Sequence, residues 1–548
     1  MTAPVWDGVA ASHRMDHLQY AEDEKWRAPE AYVRVWDKFM QEKGPERSYL
    51  DLEFAEKKNV ATALTMSLPK STAHYDHFFR NPDGEDAMIP ITADTEGHRW
   101  SGKVTRVALV KDAQGIETVE VEAISDWNHV ATTCLWASPL APLLAQFPRH
   151  DIRIGPTMSC CASWLAMNIS RLQMGWWTGT KKYKGAPAEW DDYGASMWPI
   201  VVVPVNLYRD TSKWCGGAAR FDMASPFIDD FLKDAGIMLQ VTMFIPEEDE
   251  QPAPEWFYLD RPTIVMKFVD KSNTTGPTGT LFDGILSFFE GFLDDGTTPI
   301  RFPQLDSPLE YENAYSSGPL GTKRNFPWIW YREGEYSGIG EAELAIHKPM
   351  ATNILVGGRS PSYVNAAIEI AIKNLLSWIG LLIGIPGLDA LYRGQLDDVF
   401  FAFGMAQDQG RVQRAGPFAW REHFVTGSEK AFTIDGVMAM LQGLHDTRGY
   451  TSKKVTIRDR APFIFGLHMG IGDQIGFEVG DLLFTDYITE AVFRDDRKTA
   501  SAWTLTIGDG SDEEDSLVKN WNRLGQVMQV VSTLSKDVGM EADFFGIF

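Results

Sequence analysis

A chain of 548 residues is too long for one hydrophobic core, and that length implies three or four domains. Hydrophobic content of 44% beside 23% charged residues excludes a disordered or fibrous chain, while 47 Gly, 29 Pro and 19 Trp point to a turn-rich, β-rich mixed architecture. With 51 Lys plus Arg against 75 Asp plus Glu, the formal charge of -24 opposes wrapping a phosphate backbone, so no specific nucleic-acid binding is expected.

Residues 1–30 read as a polar arm, and from Met1 to Gln19 there is no apolar stretch of the kind a signal peptide requires. A first β domain is expected over 31–150. Val33, Val35, Leu50, Leu52 and Phe54 alternate with polar neighbours, with a turn signal at Gly44-Pro45. Residues 103–110 and 116–124 predict a hairpin around 111–115, and the alternation of Val119, Val121 and Ala123 gives it one dry face.

Prolines at 139, 142, 148 and 156 then punctuate a connection into an inserted α+β domain over 151–271. Trp164, Leu165, Asn168, Ile169 and Leu172 fall near helical spacing and predict a helix over 157–173. A second helix is expected at 226–234, with strands at 200–207, 238–245 and 263–269. Lys181, Lys182 and Lys184 read as a solvated loop. Cys134, Cys160, Cys161 and Cys215 show no CxxC spacing, and the adjacent pair cannot easily bridge to itself. Reduced, buried thiols are the expectation.

Residues 272–340 are rich in Gly, Pro, Ser, Thr and aromatics and read as long loops, with one short amphipathic helix at 281–292. An apolar helical segment and connection is expected over 341–449. Its centre carries Leu375, Leu376, Trp378, Ile379, Leu381, Leu382, Ile383 and Ile385, an apolar run shorter than the roughly 20 residues of a membrane span. Glu369 and Lys373 at i, i+4 mark a wet helical edge, and Gly384 to Gly387 breaks the segment. A buried helical hairpin is the preferred reading, with transient contact with a host membrane as its alternative.

Residues 450–510 carry strand signals at 453–458, 463–467, 474–479, 483–494 and 499–507, as in a small antiparallel barrel or sandwich. Over 511–548 a terminal helix is expected. Ser511 to Glu514 has capping-box spacing, and Leu517, Trp521, Leu524, Met528, Val531 and Leu534 then follow at intervals of four, three, four, three and three. Those six residues form a candidate oligomer interface, although the same helix could dock on its own domain.

Catalytic signatures are missing from the sequence. There is no Walker loop, Rossmann fingerprint, GxSxG elbow or HExxH helix. Gly466 to Gly472 reads as a turn. His74-Tyr75-Asp76-His77 is the softest metal candidate, and no further ligand follows from spacing. The acidic run 509–515 lacks the alternating oxygen ligands of an EF-hand. Asp294-Asp295 and Asp397-Asp398 read as surface or capping charges, not as a glycosidase pair. No catalytic residue, metal or cofactor is therefore expected.

Three stretches carry a family resemblance. Residues 126–171 hold DWNHVATTCLWASPLAPLLAQFPRHDIRIGPTMSCCASWLAMNISR; residues 394–449 hold LDDVFFAF, GPFAWREHFVTGSEKAFTIDG and DTRGY; the C-terminal part holds IGDQIGFE, LFTDYITEAVF and WTLTIGDGSDEED. Together they resemble minor tail proteins of actinobacteriophage siphoviruses, of the tail-associated or baseplate-hub type. The resemblance implies an α+β, β-rich multidomain chain with tail-tube-like β-barrels, inserted α/β domains and a C-terminal helix. It implies a virion protein at the tail tip, assembled in the host bacterial cytoplasm as a homotrimer. Its partners would be the distal tail protein, the tape measure protein and other minor tail proteins. Such a hub closes the tail tube, links it to receptor-binding parts and helps open the DNA conduit. A tail-associated cell-wall hydrolase and a membrane-active tail-tip protein are the alternatives.

Overall fold

The computed structural model describes residues 29–81, 84–173, 199–276, 278–284, 323–324, 327–334, 338–357, 403–407, 409–425, 439–440, 443–444, 446–460, 462–480, 482–497 and 501–508. They fall into two compact units. One is drawn from Met1–Glu290, Pro299–Glu343 and Lys453–Gly510, the other from Gly291–Thr298, Leu344–Ser452 and Ser511–Phe548.

Period-two alternation builds the start of the first unit. Its strands are β1 (Tyr32–Trp36), β2 (Glu42–Glu46), β3 (Asp51–Lys57), β4 (Ala63–Pro69), β5 (Pro90–Thr95), β6 (His98–Lys111) and β7 (Glu117–Ser125), with a short helix α1 (Tyr75–Phe79) after β4. Leu52 and Phe54 on β3, Leu64, Met66 and Leu68 on β4, and Val119, Val121 and Ala123 on β7 are all buried on one face. β6 and β7 form the expected hairpin, in register from Lys111↔Glu117 to Gly102↔Ser125. Asp112 closes its tip, since its carboxylate accepts from the N–H groups of Gln114 and Ile116 at 2.9 and 2.8 Å.

The inserted layer follows. It comprises α2 (Asn128–Ala131), β8 (Cys134–Leu135), β9 (Asp151–Pro156), α3 (Thr157–Gln173), β10 (Ile200–Val202), β11 (Trp214–Ala219), β12 (Asp222–Met223), α4 (Ala224–Ala235), β13 (Ile237–Phe244) and β14 (Thr263–Asp270). α3 has the limits read from its periodicity. Its first N–H groups are satisfied from a distant loop: Thr157 donates to the Lys213 carbonyl, Met158 to Ser212 Oγ and Ser159 to the buried Asp210 carboxylate. α4 ends at Gly236, whose φ of 69° gives the left-handed cap. The expected strand at 200–207 is shorter, because Pro204 has no N–H to donate and the chain turns into a 3-10 segment at Leu207–Arg209. Trp164, Leu165, Phe231 and Leu232 from the two helices pack with Leu239, Met266 and Phe268 of the three-stranded sheet β10-β14-β13.

The remaining strands are β15 (Thr274–Thr275), β16 (Lys323–Arg324), β17 (Trp330–Tyr331) and β18 (Ile339–His347). In the second unit, β19 (Asn353–Gly357), β20 (Phe403–Gln407) and β21 (Glu422–Phe424) form a sheet in the order β20-β19-β21, with α5 (Gln409–Ala415) between the last two in sequence. Its small core joins Ala351, Ile354 and Val356 with Val425 and Leu444. β22 (Tyr450–Arg458) leads back to the first unit, followed by β23 (Gln474–Val479), β24 (Leu482–Asp495) and β25 (Ala502–Ile507).

β24 pairs with β3, so strands from the two ends of the described chain share one sheet. The path runs β18-β22-β25-β24-β3-β4-β7-β6-β5-β1-β2, with β23 on β24 and β17 on β23, making 13 strands. A β-rich α+β class with few helices is thereby borne out. Among the described strands the path ends at β18 and β2, and no pairing closes it into a barrel. The expected strand at 463–467 is instead a turn. Arg460 N–H donates to the Phe463 carbonyl, Gly466 N–H donates to that of Met469, and Phe465 N–H is held by the buried Asp459 carboxylate. Gly466 to Gly472 is turn structure, as its glycines suggested.

Candidate functional site

The eight residues of the expected apolar hairpin (Leu375 to Ile385) and the six of the terminal seam (Leu517 to Leu534) lie outside the described residues. So do Lys181, Lys182, Lys184, Asp294-Asp295, Asp397-Asp398, the acidic run 509–515 and most of the helix expected at 281–292. No described helix is long and apolar enough to cross a membrane. The His74–His77 tetrad begins α1, where its two imidazoles diverge: His74 Nε2 lies 3.4 Å from the Pro45 carbonyl and His77 Nε2 3.2 Å from that of Trp36. Among the described residues no three His, Cys, Asp or Glu side chains converge as metal ligands.

Two charged clusters are built instead, and the sequence reading missed both. Asp126 follows β7 and turns inward, its N–H donating to the Ser101 carbonyl. The Lys103 ammonium, from β6, bridges the Asp126 carboxylate at 2.5 Å and His129 Nε2 at 2.7 Å. Burial, with Lys103 beside it, pushes the His129 imidazole down to about 4. The cluster ties the two arms of the β6–β7 hairpin to the short helix that follows.

The second cluster fastens the turn after β13 to the sheet. Arg34 of β1 donates to Glu248 at 2.6 and 3.0 Å and to Asp94 of β5. Arg99 of β6 donates to Asp94, Glu248 and Asp249, and to the Met243 carbonyl at 3.1 Å. Arg34 is buried, with its guanidinium 5.4 and 5.2 Å from the ring centres of Tyr32 and Trp36. Charge-assisted, fork-shaped pairing of this kind sets one geometry between two layers. No spacing announces it, because Arg34 and Glu248 are 214 residues apart.

Among the described residues, several exposed apolar side chains gather in each of two stretches. In the first unit the connection between β8 and β9 presents Leu140, Leu143, Leu144 and Phe147 to solvent. Gln146 pins this loop: its Oε1 accepts from Ser138 N–H, and its amide donates to the carbonyls of Ser138, Ala141 and Pro142. In the second unit Phe403, Met405, Phe418, Trp420 and Phe424 are exposed on and beside the small sheet. Apolar area of this kind is seldom left bare on a free monomer. Pro142-Leu143-Leu144, an apolar pair inside a proline-rich connection, was the available sequence signal.

Residues 32–509 match the family described as Siphovirus ReqiPepy6 Gp37-like protein. The chain belongs to that family. It is 24% identical over 556 residues to Minor tail protein Gp28 of Mycobacterium phage D29, covering 89% of this chain and 91% of that relative. Minor tail protein Gp28 of Mycobacterium phage L5 is likewise 24% identical, over 551 residues and the same shares. The resemblance to siphophage minor tail proteins carried by the sequence blocks is thus borne out along most of the chain. Among solved structures, the chain is similar to the tail protein from Neisseria meningitidis MC58, with 7% identity and a TM-score of 0.38 over 90% of this chain and 99% of that one. Prophage tail protein gp18 from Listeria monocytogenes EGD-e gives 10% identity and 0.34 over 91% and 99%. A chain of the phage P2 baseplate in its activated conformation gives 9% and 0.34 over 88% and 100%.

Proposed function

We propose that this member of the Gp37-like family is a structural hub at the tail tip of a siphophage virion, closing the tail tube and joining it to distal and receptor-binding parts. The family match over residues 32–509 carries the reading. The printed name of the two mycobacteriophage relatives supports it, since both are minor tail proteins. Three copies around the tail axis would present their sheets to one another, and the strands on either side of the β3–β24 pairing would supply the tail-tube-like part. The distal tail protein, the tape measure protein and other minor tail proteins are the proposed partners. A formal charge of -24 suits a conduit for DNA, because like charge keeps the passing phosphates from sticking.

The hub is proposed to be non-catalytic. Both titratable clusters described above are internally paired and link layers of one unit, and neither presents a free acid and base to a cleft. Gold-labelled antibody raised against the chain should mark the distal end of intact tails. Label confined to the capsid or neck, or intact particles carrying no such polypeptide, would overturn the proposal.

A further inference from the structure

Three of the four cysteines lie inside the inserted layer, and two of them come together there. Cys160 and Cys161 lie near the start of α3 and Cys215 on β11, and all three are buried. β9 runs directly into α3, and Cys215 stands opposite Gly155 of β9 in the antiparallel register. Residues so paired have Cβ positions about 5 Å apart. A Cβ built on Gly155 would lie 3.6 Å from the Cys160 sulfur, which places that sulfur over the strand pair on the Cys215 side of the helix start. The Cys160 side chain stands close enough to Cys215 to raise its thiol above the ordinary value.

We infer that Cys160 and Cys215 form a latent cross-link, a modification site at which a low-molecular-weight disulfide converts two buried thiols into one bond between α3 and β11. The step balances as thiol–disulfide exchange. One protein thiolate attacks a sulfur of the small disulfide and expels a thiolate. The second protein thiolate then attacks the protein sulfur of the mixed disulfide and expels the other half. The two protons lost by Cys160 and Cys215 end on the two released small thiols, so two protein thiols are oxidised and one small disulfide is reduced. Two alternatives are poor. Cys160 and Cys161 are consecutive in a regular helix, where a bond between them would distort the intervening peptide. Cys134 sits on β8 beside Arg171 and Asp222.

The site is slow as well as specific. The neighbouring Cys160 side chain and burial push the Cys215 thiol up, and burial does the same for Cys161. Thiolate is therefore scarce at neutral pH, and exchange accelerates as pH rises. A chain made in a reducing cytoplasm keeps its thiols there and acquires the bond only after prolonged contact with oxidant. Once formed, the bond closes residues 160 to 215 into a covalent loop and restricts the unfolded chain.

The test uses the full chain, reduced, freed of reductant and held with oxidised glutathione at about pH 8.5, where thiols ionise. The protein is then acid-quenched, denatured, alkylated with N-ethylmaleimide and mapped by mass spectrometry. A disulfide-linked peptide pair carrying Cys160 and Cys215 is expected, with Cys134 and Cys161 alkylated. The thermal midpoint should rise and fall back on adding dithiothreitol, and the Cys215→Ser chain should show neither effect. Four alkylated cysteines, a bond through Cys134 or Cys161, or a glutathione adduct that never resolves each overturns the inference. The wild-type map decides the matter alone if the variant does not fold.

Discussion

Phe54 of β3 and Phe493 of β24 stand directly opposite each other, and their rings stack with centroids 5.0 Å apart. Trp503 meets Phe54 edge-on at 5.3 Å and Phe493 at 5.4 Å, and Trp100 lies 6.3 Å from Phe54. An early and a late strand of the described chain thus share one aromatic core. Phe493→Ala removes a fully buried ring and should cost about 3–5 kcal/mol, with Phe493→Leu costing less. Urea unfolding followed by tryptophan fluorescence measures both. A loss below about 1 kcal/mol, the range of an ordinary surface change, would contradict a shared core.

Asn59 ties the turn after β3 to the inserted layer. It is buried in the turn after β3 at a φ of 56°, with its amide donating to the Ile237 carbonyl at 3.0 Å and its Oδ1 accepting from Leu239 N–H at 2.8 Å. One side chain thereby imitates a strand neighbour along β13. Asn59→Ala strands a buried donor and a buried acceptor, for an expected loss of about 2–4 kcal/mol. Hydrogen exchange at the Leu239 amide should accelerate in the variant. Unchanged protection there would mean the contact is dispensable.

The joint at Glu248 predicts a pH dependence. Its hydrogen bond from Arg34 holds the carboxyl below the usual range. A depressed carboxylate contributes stability that is present above the unfolded value, near 4.5, and is lost as pH falls through the folded value. The stability difference between wild type and Glu248→Gln should therefore be constant at neutral pH and shrink on acidification below about 4.5. A difference that grew on acidification would reverse the assignment.

His129 shifts in the same direction but with a different window. Its folded value near 4 lies below the ordinary 6.5, so the unfolded chain gains a proton first as pH falls. Stability from the neutral ring is full above about 6.5 and drains away between about 6.5 and 4. A ring titration by NMR should find a midpoint near 4 in the wild type, rising towards 6.5 when Lys103→Met removes the neighbouring cation. A wild-type midpoint at 6.5 would show that the imidazole is neither shielded nor bonded as described.

Local signals carried the local elements. The β6–β7 hairpin and α3 were legible because alternation and helical spacing act within a dozen residues. The β3–β24 pairing was not, because Phe54 and Phe493 are brought together only by the fold, and neither strand's pattern names its partner. Residues 463–467 misled for a physical reason: Phe463, Phe465 and Leu467 alternate as in a strand, yet Gly466 adopts a φ of 89° against the backbone of Gly97, and Asp459 takes the Phe465 N–H. Three of the four cysteines are buried as expected and Cys134 is half-buried, but nothing in their spacing brought residue 160 to residue 215. The joint from Arg34 to Glu248 is likewise a product of the fold, spanning 214 residues, while the Lys103 joint spans only 23 residues across the β6–β7 hairpin yet has no spacing signature.

Quantitative mass spectrometry of purified virions and isolated tails tests a structural place at the tail tip most directly. This polypeptide is expected in the tail fraction in a small fixed number, three or a multiple of three per particle. Infectious particles that lack the polypeptide, or that carry it in variable trace amounts, would contradict it.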